Sequence, residues 1–349
     1  MTITKSSAIK TLLIVFLVFA GLHYAKDFLM PLAIGGVLAA LFLPFCNWME
    51  GKRVPKGLAV LLCLIVLLVI IAGISSLLAW QMSALANDLP LITQKGIETV
   101  DLIQEYIFNH LGISAEKQLQ LLKDEQPSFA NILQVMVGSF TYIFTNLILT
   151  LVYLFCLLYY RSHIKHFIIK LTPPSERDEM EQVVSSATKV SQQYLVGLAK
   201  MIVCLWIMYG VGFSIIGVKN ALFFAIVCGL LEIVPYIGNI TGTSLTVFVA
   251  AVQGASLPML GGIIGTYGLV QLIQGWILEP LIVGPQVKIN PFTTIIALVI
   301  GQLVWGIPGI FLAIPLTAMI KIACDHIEPL KPYGFLIGEI ETRKKKTVS

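Results

Sequence analysis

Long apolar runs separated by short polar segments dominate the pattern of this sequence. An α-helix needs roughly 20 residues to cross about 30 Å of hydrocarbon. Runs that reach or approach this length occupy residues 11–25, 31–48, 58–80, 135–160, 201–217 and 257–283. Transmembrane β-strands would instead appear as short segments of alternating polarity. The pattern therefore predicts an all-α, polytopic helical membrane protein with about six full spans.

The first run has a second interpretation. Lys5 and Lys10 precede a short apolar stretch, and a basic start before such a stretch is also typical of a cleaved signal peptide. A chain with many later spans can keep its first span as an uncleaved anchor. We therefore favour a membrane span here.

Two apolar segments in the second half are interrupted by Pro and Gly. Residues 221–234 and 240–253 flank the sequence PYIGN, and residues 292–304 and 310–322 flank WGIPG. Each arm would rise about 20 Å, less than the membrane thickness. The pattern predicts two re-entrant hairpins that enter from opposite sides, so that span plus hairpin forms an inverted repeat. Two turns between short full spans are the alternative.

The charges between the runs predict an orientation, because cytoplasmic loops are enriched in Lys and Arg. Basic residues precede the first span, follow the second and fourth, and end the chain, whereas residues 84–130 are acidic and amphipathic. Both termini are thus predicted to be cytoplasmic. The predicted regions are three transmembrane helices in 1–83, an external helical cap in 84–130, a fourth span with a cytoplasmic amphipathic helix in 131–200, a transport core in 201–325 and a basic tail in 326–349.

Composition supports a membrane protein and narrows its chemistry. Charged residues make up 12% of the chain, against roughly 25% in soluble domains. The six cysteines have neither CxxC pairing nor metal-ligand spacing, which indicates small buried side chains without disulfides or a metal site. Metalloprotease, hydrolase, dinucleotide and P-loop motifs do not occur in the sequence. We expect no enzyme activity and no cofactor, and transport would draw on a gradient.

Two acids within the apolar second half are candidate functional residues. Glu232 lies one turn before the first break, and Glu279 precedes Pro280 in the sixth run. An ionised side chain at the bilayer centre costs about 2.5 kcal/mol or more, so such a residue is a functional candidate. We expect Glu232 to contact substrate or carry a proton. Glu279 has the alternative of reaching the cytoplasmic interface or capping a partner helix.

Uncharged residues of the same region complete the predicted solute or ion pathway. The second arm of each hairpin would begin near the midplane, capped by Asn239 or Thr241 in one and opened by Pro308 in the other. The dipoles of these helix starts suit an anionic or carbonyl group. Glutamine side chains more often bond between helices than to substrate. The pathway candidates are Pro235, Tyr236, Gly238, Asn239, Gln271, Gln274, Pro280, Gln302 and Pro308, while the Gly261, Gly265 and Gly268 stripe predicts close helix packing.

Several of these segments resemble the autoinducer-2 exporter family of bacterial membrane proteins. The resemblance is carried by GLLEIVPYIGN ending at Asn239, ILEPLIVG ending at Gly284, the pair Asn290-Pro291, and GIPGIFLAIPL ending at Leu316. Pro31 and the turn Arg53-Val54-Pro55 agree more loosely in the first half. The match thus covers nearly the whole chain.

The resemblance implies a multi-pass protein of the bacterial inner membrane that exports a furanone quorum-sensing signal, or else exchanges sodium or lithium for protons. It also implies homo-oligomers, with a pentamer as one form. The family frequently carries an acid where this chain has Gln274, which puts ion coupling at that position in doubt. We expect a small-molecule or monovalent-ion substrate and a lipid bilayer as partners, and no nucleic acid. The alternative is a different class of protein, a membrane scaffold that transports nothing and whose external cap binds envelope partners.

Overall fold

The computed structural model describes residues 5–86, 129–235, 237–283 and 287–339, and these residues are helical almost throughout. The extended structure within these ranges is an isolated antiparallel bridge between Ile289 and Gly338. The all-α prediction is therefore confirmed. The predicted external cap at residues 84–130 lies almost wholly outside the described residues.

The first half of the chain forms six helices in the described residues, and consecutive helices other than the third and fourth are connected by short turns. In chain order they are α1 (Lys5–Tyr24), α2 (Lys26–Gly51), α3 (Lys56–Ala86), α4 (Phe129–Tyr159), α5 (Arg161–Leu171) and α6 (Arg177–Ile216). Pro55, directly before α3, lacks the backbone N–H that would continue α2, and Arg53 adopts a positive φ of 66°. The turn between α2 and α3 is therefore fixed by local sequence.

The second half alternates shorter helices with tight breaks. The helices are α7 (Ala221–Leu231), α8 (Ile237–Val252), α9 (Leu257–Ile273), α10 (Pro291–Trp305), α11 (Ile307–His326) and α12 (Lys331–Ile337). From Gln274 to Val283 the helix after α9 is π-helical. Pro280 within it cannot donate a backbone hydrogen bond, and π-helical turns occur frequently at functional sites. The change from α-helix to π-helix therefore marks residues 274–283 as a candidate functional region.

Six of the helices within the described ranges are long and apolar enough to cross a membrane. They are Lys26–Gly51, Lys56–Trp80, Tyr142–Tyr159, Pro174–Ile216, Leu257–Ile282 and Ile307–His326. Large apolar side chains on these helices are exposed, among them Trp276 at 82%. Exposed apolar faces on long helices fit a hydrocarbon solvent rather than water. The polytopic membrane protein predicted from the sequence is therefore confirmed.

Two helices differ in length from the predicted elements. The predicted amphipathic helix and the fifth span form one continuous helix, α6, of 40 residues, because neither Pro nor a Gly pair interrupts the backbone where the polar face gives way to the apolar run. The helix α11, predicted as the second arm of the second hairpin, has 20 residues. It extends beyond the apolar run to Asp325 and His326 and is itself long enough to span.

The chain divides into two compact units, of which the first comprises residues 1–69, 146–201 and 275–349. Its core joins α2, α3 and α4 through Cys46, Ala59, Cys63, Leu154 and Leu158. Gly35 brings α2 against the α4 backbone, since a Cβ there would lie 3.2 Å from the Leu154 nitrogen. Arg161 donates to Glu50 Oε2 at 2.6 Å and to Asn47 Oδ1 at 3.2 Å. Small residues and one ion pair thus hold these helices together.

The second unit comprises residues 70–145 and 202–274. Trp206 of α6 donates its indole N–H to the Ile226 carbonyl of α7 at 3.1 Å, and Tyr209 and Phe213 are fully buried. The stripe predicted to mediate close packing does not do so in the described residues, because a Cβ at Gly261, Gly265 or Gly268 would meet no atom of another element within 4 Å. Their neighbour Gly262 is the one that packs on Ile216.

Candidate functional site

The break between α7 and α8 places a buried acid at the end of a short apolar helix. Residues 221–231 form α7, and Glu232 caps it with a backbone N–H that donates to the Cys228 carbonyl at 3.2 Å. Pro235 lies in the turn and lacks the backbone N–H needed to continue the helix. Tyr236 lies outside the described residues. At 1.5 Å per residue, α7 and α8 rise about 17 and 24 Å, less than the membrane thickness of about 30 Å.

The backbones of α7 and α8 approach each other closely at this turn. A Cβ on Gly238 would lie 1.8 Å from the Leu231 carbonyl oxygen, and the Gly238 N–H donates to the Val234 carbonyl at 2.9 Å. A side chain at position 238 would therefore force the two helix ends apart. Asn239 and Thr241 lie inside α8, which begins at Ile237, so neither residue is the helix cap that the sequence predicted.

Glu232 belongs to a hydrogen-bonded group of largely buried side chains. The residue is 5% exposed, and its Oε1 accepts a hydrogen bond from Gln274 Nε2 at 2.5 Å. The Oε1 of Gln274 in turn accepts from Asn239 Nδ2 at 3.3 Å and, more weakly, from Gln271 Nε2 at 3.5 Å. We call Glu232, Asn239, Gln271 and Gln274 the polar cluster. It joins the end of α7, the start of α8 and the α-to-π transition after α9.

The polar cluster has unused hydrogen-bonding capacity. Asn239 is 1% exposed, and its Oδ1 accepts no hydrogen bond from any residue that the structure describes. Buried polar atoms are normally satisfied, so such an atom calls for a partner such as water, an ion or a ligand. The position of this atom beside a carboxylate and two amides fits a small polar solute or a hydrated cation.

The sequence did not single out Tyr209 or Thr243, which border the polar cluster within the same unit. The buried hydroxyl of Tyr209 lies near Gln271 but makes no hydrogen bond with any residue that the structure describes. Thr243 is 6% exposed and lies one turn after Asn239 on α8. The one signal for Thr243 was its i+4 spacing from Asn239. Tyr209 sits inside an apolar run and gave no signal.

Four of the predicted pathway residues, namely Glu279, Pro280, Gln302 and Pro308, belong to the first unit and make none of these hydrogen bonds. Glu279 and Pro280 lie in the π-helix with exposed side chains. Gln302 is exposed on α10, and Pro308 occupies the first turn of α11, as predicted. The structure therefore brings together four of the predicted residues, all from the second unit.

The turn between α10 and α11 repeats the close approach seen at Gly238. Gly306 adopts a positive φ of 66°, which favours glycine. A Cβ on Gly309 would lie 1.9 Å from the Gly301 carbonyl oxygen, and one on Gly301 would lie 2.4 Å from the Gly309 carbonyl oxygen. The two helices therefore touch backbone to backbone just beyond their turn.

Comparison with known proteins gives one consistent family. The model of the AI-2E family transporters matches residues 12–328, which is most of the chain. This protein belongs to the AI-2E transporter family. YueF of Bacillus subtilis is 26% identical over 313 residues, covering 85% of this chain and 84% of its own. YhhT of Escherichia coli is 25% identical over 327 residues, covering 92% and 91%. Both relatives have names that assign them to transport and specify no substrate.

In this AI-2E family member Gln274 is the residue that connects the polar cluster, since it donates to Glu232 and accepts from Asn239 and Gln271. An amide can donate and accept at the same time. A carboxylate at this position could do both only when protonated. Gln274 therefore holds the Glu232 carboxylate in place without adding a charge of its own.

Gln274→Met is expected to destabilise this family member more than Gln271→Met. The first variant removes a short hydrogen bond to a buried carboxylate, an interaction worth about 1.5–3 kcal/mol, whereas the second removes a single contact of 3.5 Å. Thermal unfolding of both purified variants in one detergent measures the difference. Equal melting temperatures would contradict the connecting role of Gln274.

Proposed function

We propose that this AI-2E family protein is a gradient-driven transporter of the bacterial cytoplasmic membrane that exports a small polar solute such as the autoinducer-2 signal. The observation that carries the proposal is the polar cluster, in which a carboxylate is buried beside a helix break in a polytopic membrane protein. Ionisable groups within membrane segments are costly and mark substrate or proton pathways. Amides around the carboxylate suit the hydroxyl and carbonyl groups of such a solute.

Sodium or lithium/proton exchange is the second candidate, and Glu232 favours it specifically. Burial disfavours the charged form of a carboxylate, so it can bind a proton in one state and a small cation in another. Oxygen atoms of Glu232, Asn239 and Gln274 are the hard ligands that alkali-type cations accept. On this proposal Glu232 is the titrating member of the cluster, and Gln274 is a neutral ligand.

Flux in proteoliposomes tests both candidates on the full-length protein. Uptake of labelled solute is measured with an imposed proton gradient, with an imposed sodium gradient, and with neither. Each value is compared with the uptake by vesicles that lack the protein. The export proposal predicts solute movement that stops when a protonophore collapses the gradient. The exchange proposal predicts instead that added sodium or lithium releases protons, reported by an internal dye. If neither flux is observed, the non-transporting scaffold is the remaining candidate.

We also propose that both termini face the cytoplasm and that residues 84–130 face outward. The support is the basic character of the loops after the second and fourth spans and the acidic character of residues 84–130. The proposal predicts that an impermeant thiol reagent labels Glu105→Cys in intact cells but labels Lys189→Cys, on the exposed polar side of α6, only after permeabilisation. The reverse pattern would invert the orientation.

A further inference from the structure

A basic pocket in the first unit lies at one end of two membrane helices. It encloses about 520 Å³ and is lined by two lysines, Lys56 and Lys170, and by two histidines, His163 and His166. Tyr159, Tyr160 and Ser162 complete the lining. None of these seven side chains is acidic, so the pocket attracts anions.

The two lysine charges of this pocket are not neutralised by an ion pair with any residue that the structure describes. Arg161 and Lys165, the other cations of the α5 segment, are paired with Glu50 and Glu181. In contrast, no residue in the described ranges forms an ion pair with Lys56 or Lys170. The Lys56 ammonium instead lies over the Tyr159 ring, 5.5 Å from its centre. Two lysine charges therefore remain available to a ligand.

The pocket lies where the protein leaves the membrane. Lys56 begins one candidate span and Tyr159 ends another. Helix α5 starts two residues later, has no buried residue and exposes Phe167 at 58% and Leu171 at 71%. A short helix with basic residues and exposed apolar side chains, directly after a span, is typical of a helix lying in the lipid interface. Tyrosine is enriched at the same depth.

We propose that this pocket binds the phosphate headgroup of an anionic glycerophospholipid. Lys56 and Lys170 would pair with the phosphate, and the hydroxyls of Ser162 and Tyr160 are placed in the lining to donate hydrogen bonds. Leu58 and Leu61, exposed on the first turns of α3, provide an apolar surface along which acyl chains can lie. Basic pockets between membrane helices recognise lipid headgroups in this way. The apolar surface favours a lipid over free phosphate.

The experiment measures binding of fluorescent phosphatidylglycerol to the full-length protein in a neutral detergent. The double variant Lys56→Gln/Lys170→Gln is compared with Lys189→Gln/Lys200→Gln, which removes two exposed lysines of α6 and so the same charge. We expect the first variant to bind about tenfold more weakly or worse, and the second to stay within about twofold of the unaltered protein. Phosphatidylcholine should bind weakly to all three.

Two results would overturn the proposal. An equal loss in the two double variants would show attraction by overall charge instead of a pocket. Complete competition by millimolar inorganic phosphate would identify a free phosphate as the ligand. Lys56 is partly buried, whereas Lys170 is exposed. The single variant Lys170→Gln therefore serves as the test if the double variant fails to elute as one species on gel filtration. It too must weaken phosphatidylglycerol binding while Lys189→Gln does not.

Discussion

Glu232→Gln is expected to yield a folded protein that has lost transport or the pH dependence of transport. The substitution keeps the shape of the side chain and removes its charge. Gln274 Nε2, now 2.5 Å from Glu232 Oε1, can also donate to the amide oxygen of the substituted residue, so the contact between the end of α7 and the end of α9 is retained in a weaker form. What is removed is the group that, on the proposal above, binds a proton or a cation.

The size of the effect follows from the role proposed for the carboxylate. Ionisable groups within membrane segments mark proton and substrate pathways, so the loss of a proton-carrying Glu232 should abolish the flux that the gradient drives. The measurement is flux per folded molecule across a range of pH, with protein quantified by gel filtration. Flux equal to that of the unaltered protein, with the same pH profile, would remove Glu232 from the mechanism.

Glu181→Gln is the matched control for this experiment. It removes one carboxylate from α6 that forms an exposed ion pair with Lys165 at 2.5 Å. Exposed ion pairs contribute about 0–1 kcal/mol to stability, so this variant should fold and transport normally. A comparable loss of flux in both variants would point to a general effect of charge rather than to the polar cluster.

The sequence predicted the helices well because apolar length and Pro/Gly breaks are local signals. The turn at Pro55 and the break at Pro235 both occur where the sequence placed them. The end of α11 was missed, because Asp325 and His326 extend the helix beyond its apolar run. Helix ends set by backbone hydrogen bonds in polar sequence have no signature in hydropathy.

The sequence indicated which residues belong to the candidate site, but not which of them hydrogen-bond to each other. Glu232 stood out because a charge in an apolar run is costly. That Gln274, 42 residues later, is its hydrogen-bond donor depends on how α7 and α9 pack, which one sequence does not reveal. For the same reason the small residues were assigned wrongly. Gly265 has the spacing of a packing motif, but a Cβ there would meet no atom of another described element within 4 Å, whereas Gly238 and Gly309 make the closest approaches among the described glycines.

Gly309→Ala is expected to disrupt the packing of α10 against α11 severely. The new Cβ would lie 1.9 Å from the Gly301 carbonyl oxygen. That oxygen belongs to the backbone, so the two helices must move apart. Overpacking of this kind costs about 1–3 kcal/mol and occasionally more. We expect a lower melting temperature and faster proteolysis of the purified protein at the turn around Gly306.

Gly265→Ala provides the control because this substitution should slightly stabilise the protein instead of destabilising it. A Cβ at position 265 would meet no atom of another described element within 4 Å. Alanine in place of glycine at an unstrained helical position stabilises a protein by about 0.4–1 kcal/mol by restricting the unfolded chain. Gly265→Ala should therefore melt at the same temperature as the unaltered protein or slightly higher. Equal melting of both variants would contradict the backbone contact at Gly309.

Gly238→Ala extends the same test to the first break, where the added Cβ would lie 1.8 Å from the Leu231 carbonyl oxygen. Here the consequence should include function, because Leu231 is followed directly by Glu232. Separating α7 from α8 would move the carboxylate away from Asn239 and Gln274. We therefore expect Gly238→Ala to lose transport in whatever folded protein remains. If the folded fraction keeps full flux, the close approach serves stability alone and the polar cluster does not require it.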